Sequence, residues 1–333
     1  RDATENAVWE TDTLVNVCSC TKAFTSVAML QWVEEGKIAL DDPVANVWPE
    51  FAAAGKEWIT LRELLCHRAG LPAISQPLPE SALYNWSELT QALANQQPWW
   101  EPGTEQGYAA ITFGWLLGEL IQRLDNLPAG EAIMRRTAQV AGADFYLGVP
   151  EDQDHRVARL ERGRNDFGDA AAQRLLKAFT QEPDSITAQA FNNPPGIMQS
   201  AGKAEWRRHA QPAANGHTNA RGLADFYEAL RTGRLLSDEL LREALTEHSC
   251  EDDLTLLTRT RFGLGLWLDQ PAVENATFAM GAQSYGHPGA GGSIGFVDPE
   301  REVSFGFVTN TLGPYVLMDP RAQGLAKAVA ECL

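Results

Sequence analysis

The chain has no run of about 18 consecutive apolar residues, so nothing in it reads as a membrane-spanning helix. Basic residues are scarce: 27 Lys and Arg stand against 44 Asp and Glu, a formal charge of −17. Nucleic acid and anionic membrane surfaces both require clustered Lys and Arg, and the charge argues against either as the main partner. The five cysteines, Cys18, Cys20, Cys66, Cys250 and Cys332, are odd in number and include no C-x-x-C, and the histidines are scattered. That spacing suits neither a disulfide framework nor a zinc site. No metal or other cofactor is expected, and reduced thiols in a cytoplasmic protein are the simpler reading. The first residue is Arg with no signal peptide ahead of it; a periplasmic protein is the alternative if an N-terminal segment has been removed. Internal repeats and low-complexity tracts are also missing. Two sequons, Asn85-Trp-Ser and Asn275-Ala-Thr, are too short a pattern to argue for secretion.

What remains is the composition of a soluble globular protein, 44% hydrophobic and 21% charged. At 333 residues there is room for two domains, or for one with an inserted lobe. Residues 20–35 are apolar on most faces and end at Gly36, which predicts a buried central helix. T-L-R-E at 60–63 has capping-box spacing and opens a short helix to about His67. Residues 112–123 carry Phe113, Leu116, Leu117 and Leu120 on one stripe, a further helix, and 218–231 read as an amphipathic one. The region 150–216 mixes loops and short helices. Late in the chain the period changes to that of strands: I-G-F-V at 294–297 and V-S-F-G-F-V at 303–308 flank D-P-E-R-E as an antiparallel hairpin, and a closing helix runs from Pro320. The pattern predicts an α+β fold, an antiparallel sheet flanked by helices and built from the two ends of the chain, with a mainly helical domain inserted between them. The expected division is residues 1–40 and 218–333 for the α/β part and 41–217 for the helical part.

Three short motifs carry chemistry. In Ser19-Cys20-Thr21-Lys22, a helix starting near Cys20 puts Lys22 one turn from Ser19 on the same side. Ser19 is then either a helix cap or a nucleophile whose proton goes to a desolvated lysine. Tyr108, just before the helix at 112, is either a packed ring or a phenol that relays a proton. Gly286-His287-Pro288-Gly289-Ala290-Gly291-Gly292 holds four glycines in seven residues. It is either a flexible connection or a backbone that approaches a ligand closely.

Taken in order, S-x-x-K with K-A-F-T, L-D-D-P, L-R-E-L-L-C-H-R-A-G-L-P, P-G-T-E-Q-G-Y-A-A-I-T-F-G-W-L-L-G, A-A-N-G-H and G-H-P-G-A-G-G-S-I-G-F-V-D-P resemble the serine β-lactamase and penicillin-binding-protein superfamily. Class C β-lactamases and family VIII carboxylesterases are the nearest look-alikes, from about residue 8 to 310. The resemblance implies Ser19 as the acylated nucleophile, Lys22 as its base partner and Tyr108 as an aid to proton transfer. Residues 286–290 would form the inner edge strand of the site. The N–H groups of Ser19 and Ala290 would be the oxyanion hole, with His287 and Gly289 on the substrate side.

The chain departs from class C enzymes at two motifs. Tyr108-Ala109-Ala110 stands where they have Tyr-x-Asn, and His287-Pro288-Gly289 where they have Lys-Thr-Gly. Histidine, with a reference pKa of roughly 6.5, supplies no fixed cation for a substrate carboxylate. The S-D-N element of class A enzymes is absent, and Pro288 is expected to stiffen a strand start. Cys18 and Cys20 flank Ser19 as small hydrophobes, and Trp99, Trp100 and Trp86 line either an acyl pocket or the core. The resemblance also implies a helix and strands ahead of the S-x-x-K segment, where eighteen residues precede Ser19. The expected activity is a serine carboxylesterase on short-chain, small-molecule esters. Amide-type hydrolysis (β-lactams, D-amino-acid peptides), acyl transfer and a non-catalytic penicillin-binding module are the alternatives.

Overall fold

The structure is a computed structural model that describes residues 1–2, 7–163 and 168–333. Its centre is helix α1, Thr21–Glu34, whose side chains are buried on nearly all faces. Phe24 is stacked between Phe145 and Phe226, at ring-centroid distances of 3.9 and 3.8 Å. A helix so enclosed has no solvent face, as the run of apolar side chains predicts.

The helix α2, Leu61–Leu65, opens with the expected capping box: Glu63 N–H donates to the Thr60 side chain while Thr60 N–H donates to the Glu63 carboxylate. Helix α3 spans Thr112–Asp125, α4 spans Ala220–Arg231 and α5 spans Pro320–Cys332. Asn219 caps α4 by accepting from Gly222 N–H, and Asp319 caps α5 by accepting from Arg321 N–H, with Pro320 in the first turn. The described residues between 150 and 216 form short helices and loops, as the mixed composition suggests, with one two-residue strand at Glu161–Arg162.

The main sheet is an antiparallel meander of β1 Ser249–Asp252, β2 Arg259–Phe262, β3 Trp267–Leu268, β4 Tyr285–Pro288, β5 Ile294–Asp298 and β6 Val303–Phe307. The hairpin expected at 294–308 is β5–β6, with Val303 opposite Asp298. Strands β1 to β3 are not legible in the sequence. They are short, and the first two are rich in charge because one end of each faces solvent. The glycine-rich segment is also corrected here. Residues 285–288 form an interior strand, bonded to β3 and to β5, and not an edge. Pro288 sits at its end and not at its start, because the chain turns at Gly289. Helix α4 lies on β5 and β6, and a Cβ at Gly306 would stand 2.2 Å from the Ala220 carbonyl oxygen, so this approach requires glycine. Buried apolar side chains from all these elements form a continuous core. Among the described residues no helix is long and apolar enough to cross a membrane.

Candidate active site

Two short pairings set the entrance to α1. Val15–Asn16 pairs with His217–Thr218, and Val17 N–H donates to the Gly216 carbonyl. The chain then tightens into a 3-10 turn, Cys18–Cys20, with Cys18 at φ +47° and its N–H held by the Asn16 side-chain oxygen at 2.9 Å. Ser19 therefore stands at the top of α1. No side chain caps this helix.

Lys22 follows one turn later and is fully buried. Its Nζ lies 3.3 Å from Ser19 Oγ, 2.7 Å from the Ala110 carbonyl oxygen and 3.0 Å from that of Ala213. All three partners are neutral, so burial dominates and pushes the amine well below its ordinary value of 10.5.

Tyr108 is 5% exposed, its ring centroid 4.7 Å from Lys22 Nζ. Burial raises its phenol, and a hydrogen bond with the Ser19 hydroxyl works in the opposite direction. A hydroxyl and an amine one turn apart and a phenol from a distant stretch of chain thus meet at one point.

His287 is buried, its ring 6.1 Å from that of Tyr108 and 5.8 Å from that of Trp267. Its Nδ1 is 2.7 Å from the Pro288 carbonyl oxygen, which can only accept, so Nδ1 carries the proton. Nε2 is then a bare acceptor, buried and with no hydrogen-bond partner among the described residues. Burial brings His287 down to about 3, against the Pro288 bond. The ring is neutral at ordinary pH, as the substitution of His for Lys implies.

Beyond it the chain turns sharply. Gly292 N–H donates to the Gly289 carbonyl at 3.0 Å, and Gly291 has φ +91°. This is the geometry of a type II turn with Ala290 at its second position. Within the Gly289–Ala290 peptide plane the N–H is antiparallel to the carbonyl, so the Ala290 N–H points away from the turn. Neither it nor the Ser19 N–H donates to protein among the described residues.

Both flanking cysteines are free. Burial raises the Cys18 thiol to about 11 and the Cys20 thiol further, so neither is a thiolate competing with Ser19. His217 is buried with Nδ1 on the Asn215 carbonyl at 2.7 Å, beneath the site. Trp100 packs over Gly107, next to Tyr108, whereas Trp86 lies on Gly118, two turns along α3. Among the described residues there is no cluster of three or more His, Cys, Asp or Glu that would hold a metal ion. Two residues with no assigned role in the sequence, His67 and Asp253, bond the main chain at Tyr108 and Ala109.

The Beta-lactamase family model matches residues 1–330. The chain belongs to this family. It is 30% identical over 325 residues to an Esterase/beta-lactamase, LipL, of Mycobacterium tuberculosis, covering 93% of this chain and 72% of that protein. A solved family VIII carboxylesterase is 32% identical, with a TM-score of 0.86 over 100% of this chain and 87% of its own. A penicillin-binding-protein homolog from Caulobacter crescentus is similar to the same degree, 31% identical with a TM-score of 0.85 over 100% and 87%. The β-lactamase-like α+β fold follows from this match, and the chain is a serine hydrolase of that fold.

Proposed function

We propose that this hydrolase is a carboxylesterase acting on neutral, short-chain esters through an acyl-enzyme on Ser19. The observation that carries the reading is the neutral, proton-poor face of His287 at the place where class C β-lactamases have a lysine. A substrate carboxylate finds no fixed cation in that position, and a net charge of −17 does nothing to attract one. The relatives named as esterases support the same preference.

A neutral lysine amine has two N–H groups and one lone pair. The carbonyls of Ala110 and Ala213 take the two N–H groups, which leaves the lone pair for Ser19. Lys22 accepts the hydroxyl proton as Oγ attacks the ester carbonyl. The developing oxyanion meets the N–H groups of Ser19 and Ala290, donors held in place before the reaction. The Tyr108 phenol passes a proton to the departing alkoxide and is re-protonated from Lys22. Alcohol leaves, water attacks the acyl-enzyme, and the same groups return the proton to Ser19 Oγ.

The test is intact mass after treatment with a fluorophosphonate, with peptide mapping, alongside turnover of p-nitrophenyl butyrate and of nitrocefin. An adduct on Ser19, absent in Ser19→Ala, and ester turnover exceeding that of nitrocefin are expected. Nitrocefin turnover without ester cleavage would favour the amide-hydrolase reading, which membership of the Beta-lactamase family supports. Ester hydrolysis unchanged in Ser19→Ala would place the chemistry on another residue.

A further inference from the structure

Residues 105–109 belong to no helix or strand, so the main chain around Tyr108 has no ladder to fix it. Its hydrogen bonds go instead to two buried side chains and their loops. On one side, His67 accepts from Gly107 N–H through its carbonyl at 3.1 Å and from Ala109 N–H through Nδ1 at 3.2 Å. On the other side, Tyr108 N–H donates to both oxygens of Asp253, each at 3.0 Å, and the Gln106 carbonyl accepts from Leu254 N–H. The donors alternate between the two loops as they would in a strand between two neighbours.

Asp253 is 2% exposed and has no ion-pair partner among the described residues. A carboxylate in that condition is tolerated only when its lone pairs are filled by donors. Thr255 N–H and Leu256 N–H donate to Oδ1 at 2.9 and 2.8 Å, and the Thr260 hydroxyl donates to Oδ2 at 3.0 Å. Gln106 Nε2 donates to the same hydroxyl, which orients its proton toward Asp253. The network is complete on the acid's side and ends on a single residue of the reaction centre.

We infer that Asp253, with His67 opposite it, is a positioning residue that holds the Tyr108 phenol against Ser19. The inference rests on the reading of Tyr108 as the proton relay. Asp253 never meets substrate; it acts through the peptide plane of Tyr108. Its charge also raises the phenol, which keeps Tyr108 protonated and able to donate.

A double-mutant cycle with Asp253→Asn and Tyr108→Phe tests it, read as kcat and KM on p-nitrophenyl butyrate with Tm in parallel. A displacement of about 1 Å at such a group costs on the order of 100-fold. Asp253→Asn is therefore expected to lower kcat by about 10- to 100-fold with KM little changed, and by less than about 3-fold in the Y108F background, since a phenol that is gone cannot be misplaced. Equal losses in both backgrounds, or no loss beside intact Tyr108, would overturn the inference and leave Asp253 a loop-folding residue. Should D253N not fold, Thr260→Val removes the hydroxyl that links Gln106 to Asp253 and carries the same cycle; a coupling of about 3-fold or more supports the inference and additivity overturns it. If Tyr108→Phe alone leaves kcat unchanged, the relay reading fails first, and this inference falls with it.

Discussion

Gly289 presses its Cα so close to the Val17 carbonyl oxygen that an added Cβ would stand 2.2 Å from it and 3.2 Å from Cys20 Sγ. The end of β4 and the turn that carries Ser19 are thus in backbone contact, and the Ser19 and Ala290 N–H groups, proposed above as the oxyanion donors, inherit their spacing from it. Gly289→Ala must push them apart, because a carbonyl oxygen cannot rotate aside as a side chain would. Overpacking of this kind costs about 1–3 kcal/mol. The expected outcome is a lowered Tm and a loss of kcat on p-nitrophenyl butyrate of about 100-fold, larger than the stability change explains. Activity near that of wild type would show that the two donors do not depend on this contact.

The unfolded chain keeps the Lys22 proton up to about pH 10.5, whereas the folded chain releases it at a much lower pH because of burial. Between those values the unfolded state binds one more proton, so this residue makes stability rise with pH. Lys22→Met removes the titration. Its Tm relative to wild type is therefore expected to lose ground as pH rises toward 10.5. Ester turnover should fall by at least about 100-fold at every pH. A Tm difference that is flat with pH would mean that the folded protein keeps the proton, and Lys22 would then not serve as the base.

Much of this was legible in the sequence where one residue type had one local meaning. The capping box at Thr60, the enclosed apolar run of α1 and the β5–β6 hairpin all follow from short-range pattern. The meeting of Ser19, Lys22 and Tyr108 was legible for another reason: their motifs occur in a family's order, although no spacing rule links residue 22 to residue 108. What stayed hidden depends on contacts across the fold. Asp253 sits in E-D-D-L-T and reads as a solvated turn, and only the approach of residues 106–108 buries it. His67 takes a left-handed φ of +62°, which its position after α2 does not announce. The expectation of β4 as an edge rests on the resemblance alone, and its partner β3, two residues long, leaves no strand pattern in the sequence to say otherwise.

Buried histidines give the protein an acid limit. Burial brings His217 from 6.5 down to about 4, with the Asn215 bond opposing, and His287 and His67 are lowered for the same reason. Between the folded and unfolded values the unfolded chain takes up the extra protons, so stability is lost as pH falls below about 6.5. Each such proton contributes about 1.4 kcal/mol per pH unit. His217→Gln should reduce the slope of unfolding free energy against pH, measured by denaturant titration near pH 5, by about that amount. An unaltered slope would mean that His217 is charged in the folded state.

Ala290 offers a way to delete one of the two proposed oxyanion donors without disturbing the turn that carries it. The Gly289 carbonyl accepts from Gly292 N–H, and Gly291 at φ +91° fills the third position of a type II turn. The second position of such a turn is where proline is favoured. Ala290→Pro therefore keeps the backbone path and removes only the outward N–H, which donates to no protein group among the described residues. A matched proline leaves stability unchanged or raises it by about 0.4–1 kcal/mol, while the loss of an oxyanion donor lowers kcat by about 100- to 1,000-fold. Fluorophosphonate labelling and p-nitrophenyl butyrate turnover, with Tm as the control, measure both effects. An A290P variant that is equally stable and equally active would show that the oxyanion is held elsewhere, because the substitution leaves Ser19, Lys22 and Tyr108 in place.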